Sequence, residues 1–189
     1  MKDIFSIEGK VAVVTGGSRG IGEMIASGFL ASGAKVYISS RKVEVCDATA
    51  ERLTKEFGSE CISIPADLSN IEGIELLANE VTNREAKLDI LINNAGASWG
   101  APIDEYPEMG WDKVMDTNVK GVFFLTQRLL PSLRNAAKKE NPSRIVNIGS
   151  VDGIKTGGFD AFAYGPSKAA LHHLTRVLAA SLIKENIIV

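Results

Sequence analysis

Cysteine and histidine are scarce in this chain: its 189 residues include two of each, Cys46, Cys61, His172 and His173. None stands at the spacing of a zinc or iron–sulfur ligand set, and no Cys/His cluster surrounds them, so no metal centre is expected. The two cysteines read as reduced, mostly buried thiols. Adjacent histidines on a helix face different directions and nothing in the sequence pairs with these two, which leaves them surface and packing roles. Charge of one sign is also lacking. A net charge of −2 gives neither nucleic acid nor an anionic membrane an electrostatic partner. No apolar stretch reaches the length of a membrane span; the region around residues 122–133 is interrupted by Gln127, Arg128 and Pro131. Residues 1–8 are punctuated by charge and lack a secretory apolar core. The expectation is a soluble, cytoplasmic protein.

What is present is an ordinary globular composition, 45% hydrophobic and 23% charged, in a length that fits one domain with a real core. Short β-branched runs at residues 11–15, 35–39, 61–65, 88–93 and 144–148 alternate with segments of helical period at 21–32, 43–57, 71–84, 111–139 and 164–184. The fourth helix is expected to break near residues 118–121. Runs such as Val11-Ala12-Val13-Val14 and Ile90-Leu91-Ile92 are near-continuously apolar, as strands buried on both faces are. This alternation builds an open parallel sheet with helices on both faces, an α/β domain spanning residues 1–189.

The first strand runs into Thr15-Gly16-Gly17-Ser18-Arg19-Gly20-Ile21-Gly22 and then a helix. Glycines there turn the chain sharply, let its backbone approach a pyrophosphate and let helix pack on strand, while amides at the helix start hold phosphate oxygens. The spacing G-x-x-x-G-x-G is neither the G-x-G-x-x-G fingerprint nor a P-loop. A glycine-rich turn without a ligand is the alternative. The second strand ends in Ser39-Ser40-Arg41-Lys42, with no acid before Glu44. An acidic side chain near this point holds the ribose 2′-hydroxyl of NAD, whereas an arginine accommodates a 2′-phosphate. Arg41 therefore favours NADP(H), with Arg19 a further phosphate partner. The other reading is that Arg41 and Lys42 only solvate the start of a helix.

Farther along, Tyr164 and Lys168 head an apolar helical run and follow Ser150. Four residues apart, they lie on one helix face, one turn apart. An ammonium beside a phenol favours the phenolate, and a tyrosine so tuned exchanges a proton with an alcohol or carbonyl oxygen near neutral pH. Tyr164 taken alone reads equally as a half-buried aromatic with a wet hydroxyl.

With residues 15–22, Asn93-Asn94-Ala95-Gly96, Asn118, Ser150 and Tyr164-x-x-x-Lys168 in this order, the chain resembles the short-chain dehydrogenases/reductases from about Gly9 onward. The likeness looks closest to the 3-oxoacyl-[acyl-carrier-protein] reductase type, rhamnolipid-pathway relatives included. It implies a Rossmann-like, doubly wound, three-layer α/β/α domain that reduces a ketone to a secondary alcohol with NADPH. The substrate class it implies is a 3-oxoacyl thioester, on acyl carrier protein or coenzyme A, or a similar small carbonyl. It also implies a homo-oligomer, dimer or tetramer, associating through the helices at 111–139 and 164–184.

The resemblance assigns Thr15, Gly16, Ser18, Arg19, Gly20, Ile21 and Gly22 to the coenzyme loop, Asp67 with Leu68 to the adenine, and Asn94, Ala95 and Gly96 to a brace beside the coenzyme. For Asp67 a helix N-cap role, with Ser69 and Asn70 nearby, is also open. Asn118 keeps a helix distortion and a proton-relay water, or is a polar residue at a helix break. Ser150 hydrogen-bonds the substrate carbonyl, Tyr164 handles the proton, and Lys168 tunes Tyr164 and holds the nicotinamide ribose. Trp99, Val151 and Phe162 stand as candidates for an apolar pocket or for core packing, and residues 153–160 are expected to be mobile. In the family a sixth strand begins at Ile187-Ile188-Val189, followed by a Pro-Gly turn, a substrate-covering loop and a seventh strand. Because the sequence stops at Val189, either a fragment or truncated product, or a cut-down form with diminished activity, is expected, and a non-catalytic dinucleotide-binding protein (sensor, scaffold or inactive relative) is the rival reading.

Overall fold

The computed structural model describes residues 5–189 except Gly157 and Phe159, two positions of the glycine-rich 153–160 segment. Strand β1 (Val11–Thr15) leads to α1 (Gly20–Ala31), β2 (Lys35–Ser39), α2 (Val43–Phe57), β3 (Cys61–Ser63), α3 (Ile71–Arg84) and β4 (Ile90–Asn93). Then come α4 (Glu108–Met115), a π-helical turn (Asp116–Lys120), α5 (Gly121–Ala136), β5 (Ser143–Asn147), α6 (Tyr164–Leu182) and β6 (Ile187–Ile188). The strands form one parallel sheet in the order β3-β2-β1-β4-β5-β6. Its register runs from Val11 opposite Lys35 to Thr15 opposite Ser39, and from Ala12 opposite Ile90 to Val14 opposite Ile92.

Successive strand side chains point to opposite faces, and here both faces are covered. Val13, Tyr37, Leu91 and Ile145 pack with Leu77, Leu125, Leu129, Leu133 and Leu178, the layer of α3, α5 and α6. Ala12, Val14, Val36, Ile38, Ile90 and Ile92 pack with Ala26, Leu30, Cys46 and Leu53, the layer of α1 and α2. Each fully buried Val, Leu or Ile contributes about 1.5–3 kcal/mol, so this double-sided core holds the strand ends that carry the site. Cys46 and Cys61 are free and buried, and burial pushes the Cys61 thiol up to about 12. Among the described residues, no helix is long and apolar enough to cross a membrane.

Element edges differ from the sequence expectation for local reasons. Strand β3 stops at Ser63 instead of residue 65, where Pro65 offers no amide to the ladder. Strand β4 begins at Ile90 instead of 88, because the Leu88 amide donates to Ser132 of α5. The helix expected at 111–139 begins earlier, at Glu108 behind Pro107, and closes at Ala136; its break is the π-helical turn. The last helix ends at Leu182 in a short 3₁₀ turn, Ile183–Glu185. Asn186 then takes a left-handed conformation (φ 59°), and Ile187 and Ile188 pair with Ser143 and Arg144.

Candidate active site

Crossovers from β1 toward β2 and from β4 toward β5 leave in opposite directions, and ligand crevices open at the carboxyl ends of strands where such a reversal occurs. A cavity of about 410 Å³ lies there. Thr15 braces the loop beside it: the buried hydroxyl donates to Ile92 O (3.2 Å) and accepts from the amides of Asn94 and Ala95 (3.0 Å each). Asn94 returns the tie, its amide nitrogen donating to Thr15 O at 2.9 Å and Gly16 O at 3.3 Å. Thr15 therefore holds the loop in place from beneath, with its hydroxyl already committed. Gly16 turns with φ +65°, and a β-carbon at Gly22 would sit 2.2 Å from Gly16 O, so the loop folds this tightly only with glycine at both places. No side chain caps the start of α1 at Arg19, which leaves its first-turn amides for a ligand.

Gly16, Ser18, Arg19, Ile21, Arg41, Asp67, Leu68, Asn94, Ala95 and Gly96 all line this cavity; of the expected coenzyme set, Thr15, Gly20, Gly22, Tyr164 and Lys168 do not. Other lining residues lie outside that set, Ser39 and Ser40 among them. Ser39 and Ser40 stand beside Arg41 and Lys42, and their buried hydroxyls, with that of Ser63, have no hydrogen-bond partner among the described residues. An orphaned buried hydroxyl costs about 1–3 kcal/mol, a penalty that phosphate or ribose oxygens at this end would remove. Glycine cradle, uncapped helix start and orphan hydroxyls beside two cations fit a dinucleotide bearing a 2′-phosphate. The N-cap alternative for Asp67 is corrected. Asn70 caps α3, accepting from the Gly73 amide at 2.8 Å, while Asp67 accepts from the Ser69 amide and hydroxyl.

Tyr164 stands in the wall of a second cavity, of about 690 Å³, and a β-carbon at Gly96, in the wall of the first, would lie 3.4 Å from Asn118 Oδ1 and 3.8 Å from Lys168 Nζ. Asn118 sits in the π-helical turn and is fully buried. Its Oδ1 accepts from the Ala97 amide at 2.8 Å, and its Nδ2 donates to Ala97 O and Ser167 Oγ, both at 2.9 Å. Ser167 in turn donates to Tyr164 O at 2.7 Å. This chain couples the end of β4, through the π turn, to the first turn of α6. Ser167 was missed in the sequence because a serine inside Tyr-x-x-x-Lys carries no signal of its own.

Lys168 is 5% exposed; its Nζ donates to Ile148 O at 2.8 Å and lies 5.8 Å from the Tyr164 ring centroid. Burial pulls the Lys168 ammonium below the ordinary lysine value. Ser150 follows β5, its hydroxyl accepting from the Asp152 amide at 3.2 Å as the cap of a 3₁₀ turn, Val151–Gly153. Phe162 lines the second cavity with Ile154, Pro166 and Ala169, and Tyr106 meets it edge-on at 5.7 Å. Trp99 instead stacks on Gly110 beneath the Lys113 ammonium and anchors its own loop, and Val151 is exposed.

Fold and site together define a nucleotide-dependent oxidoreductase of the α/β class. A family profile described as short chain dehydrogenase matches residues 10–189, and the chain belongs to that family. It is 54% identical over 187 residues to the rhamnolipids biosynthesis 3-oxoacyl-[acyl-carrier-protein] reductase of Pseudomonas aeruginosa, covering 99% of this chain and 72% of that protein. A Pseudomonas aeruginosa RhlG/NADP active-site complex superposes with a TM-score of 0.93 at 55% identity, covering 99% of this chain and 72% of that one. The L-sorbose reductase of Gluconobacter frateurii, complexed with NADPH and L-sorbose, gives a TM-score of 0.90 at 31% identity, covering 96% of this chain and 67% of that one.

Proposed function

We propose that the protein reduces the keto group of a 3-oxoacyl thioester, or of a similar small ketone, to a secondary alcohol with NADPH. The observation that carries this reading is the Asn118–Ser167–Tyr164 chain with the buried Lys168 ammonium over the tyrosine ring, Tyr164 itself lining an apolar-walled cavity. The nicotinamide, when bound, supplies the hydride; the protein supplies orientation and the proton. Ser150 Oγ holds the carbonyl oxygen, and Tyr164 Oη gives it the proton that completes the alcohol. Lys168 keeps a positive charge beside that phenol and stands ready for the ribose hydroxyls. Arg41, with Ser39 and Ser40, binds the 2′-phosphate, and Arg19 with the amides of α1 binds the pyrophosphate. The exposed apolar side chains of Ile154 and Phe162 suit the alkyl part of an acyl chain delivered by acyl carrier protein or coenzyme A. Exposed Met109, Trp111 and Phe123 on α4 and α5 support association into a homo-oligomer. Tyr164→Phe is expected to abolish thioester-dependent NADPH oxidation while NADPH binding, read by nicotinamide fluorescence, stays within about twofold of the parent. Retained turnover would contradict the assignment.

A further inference from the structure

One turn beyond Lys168 on α6 stands an imidazole to which the proposed reaction gives no part. His172 is half-buried, whereas its neighbour His173 is exposed. The ring of His172 lies under the turn that carries Ser150: its Nε2 accepts a hydrogen bond from the Ser150 amide at 3.4 Å. A β-carbon at Gly149 would fall 2.3 Å from that same Nε2, and one at Gly153 would fall 2.9 Å from His172 Cε1. The imidazole thus packs against both glycines that bracket the turn; at Gly149 the ring itself leaves no room for a β-carbon, while at Gly153 the α6 backbone at Lys168 and Ala169 excludes one as well. Lys168 grips the same turn one step earlier, through Ile148 O. Accepting at Nε2 places the ring hydrogen on Nδ1.

We infer that His172 is a positioning residue for substrate reduction: it fixes the Ser150 amide, and through it the direction in which the Ser150 hydroxyl meets the substrate carbonyl. This rests on the reading of Ser150 given above, so the test separates the two. Turnover and NADPH binding are measured for the full chain and for His172→Leu, Ser150→Ala and the double variant. A misaimed hydroxyl costs about tenfold in kcat, with NADPH affinity unchanged. In the Ser150→Ala background the leucine is expected to cost less than about twofold, because there is no longer a hydroxyl to aim. His172→Gln, which keeps an acceptor, restores most of kcat. The Ser150 amide is expected to exchange its hydrogen about tenfold faster in His172→Leu, a reading that needs no turnover.

The same kcat loss in both backgrounds would overturn the inference, since the ring would then act through packing alone. Unchanged kcat in His172→Leu beside a crippled Ser150→Ala would overturn it while leaving the Ser150 reading intact. Full turnover in Ser150→Ala would remove that reading and the inference with it. If His172→Leu no longer binds NADPH, Gly149→Ala, whose methyl displaces the ring, goes through the same cycle and is read by the same outcomes.

Discussion

Replacing Ser167 with alanine is expected to loosen the join between the π-helical turn and α6. The hydroxyl is fully buried and serves two partners, accepting from Asn118 Nδ2 at 2.9 Å and donating to Tyr164 O at 2.7 Å. Neither partner is stranded by its loss, for Asn118 Nδ2 still donates to Ala97 O and Tyr164 O lies inside the helix. The cost is therefore that of two ordinary hydrogen bonds and not of a buried orphan, about 1–2 kcal/mol in all. For a domain of this size that lowers Tm by about 3–6 °C. Tyr164 sits in the loosened turn, so kcat should fall by about three- to tenfold while NADPH affinity holds. Circular dichroism melts and coenzyme-linked turnover measure the two effects. A melting point within about 1 °C of the parent would refute the reasoning, because the hydroxyl would then join nothing that matters to stability.

Arg41→Glu places a carboxylate where the 2′-phosphate is proposed to bind; NADPH affinity should fall by at least about tenfold and NADH affinity should rise. Fluorescence titration with both coenzymes checks this, and an unchanged preference would contradict it. Near the amino ends of the strands, Lys35 Nζ lies 2.9 Å from Glu85 and from Glu60, and Tyr37 donates to Glu85 at 2.7 Å. Burial alone would raise the Glu85 carboxyl, but the hydrogen bonds from Lys35 and Tyr37 and the Lys35 charge outweigh it and hold the group below the ordinary glutamate value. A depressed carboxyl stabilises the fold above its unfolded pKa, and that stability is lost as pH falls through the folded value. The bonds to Glu85 and Glu60 raise Lys35, whose contribution is lost only on the alkaline side. Glu85→Gln should thus be less stable than the parent near neutral pH, with the gap closing below about pH 4.5. Denaturant midpoints read it; a gap equal at about pH 3 and about pH 7 would contradict the sign.

The fold was legible because each of its devices is local. Near-continuous apolar runs at residues 11–14 and 90–92 announced buried parallel strands, and glycines 16, 20 and 22 announced the turn from β1 into α1. Tyr164 and Lys168 lay one helical turn apart, as their spacing requires. What stayed hidden depends on contacts between segments distant in sequence. Ser167 matters because the π turn brings Asn118 to it across 49 positions, and no periodicity reports that. The sequence leaves His172 only surface and packing roles because its partner, the Ser150 amide, lies 22 positions away on a strand-end turn. Ser39 and Ser40 carry no signal of their own in the sequence; it is the sheet that buries their hydroxyls beside Arg41. Strand ends shifted where a single bond decided them, as the Leu88 amide did when it turned to Ser132.

The most direct test of the proposed activity mixes the chain with NADPH and a 3-oxoacyl thioester and follows coenzyme oxidation and hydroxyacyl product together. Both should appear in equal amounts, NADH should support much less turnover than NADPH, and Tyr164→Phe should show neither signal. NADPH that binds yet is never oxidised by any ketone offered, with the parent and Tyr164→Phe indistinguishable, would contradict the reductase reading.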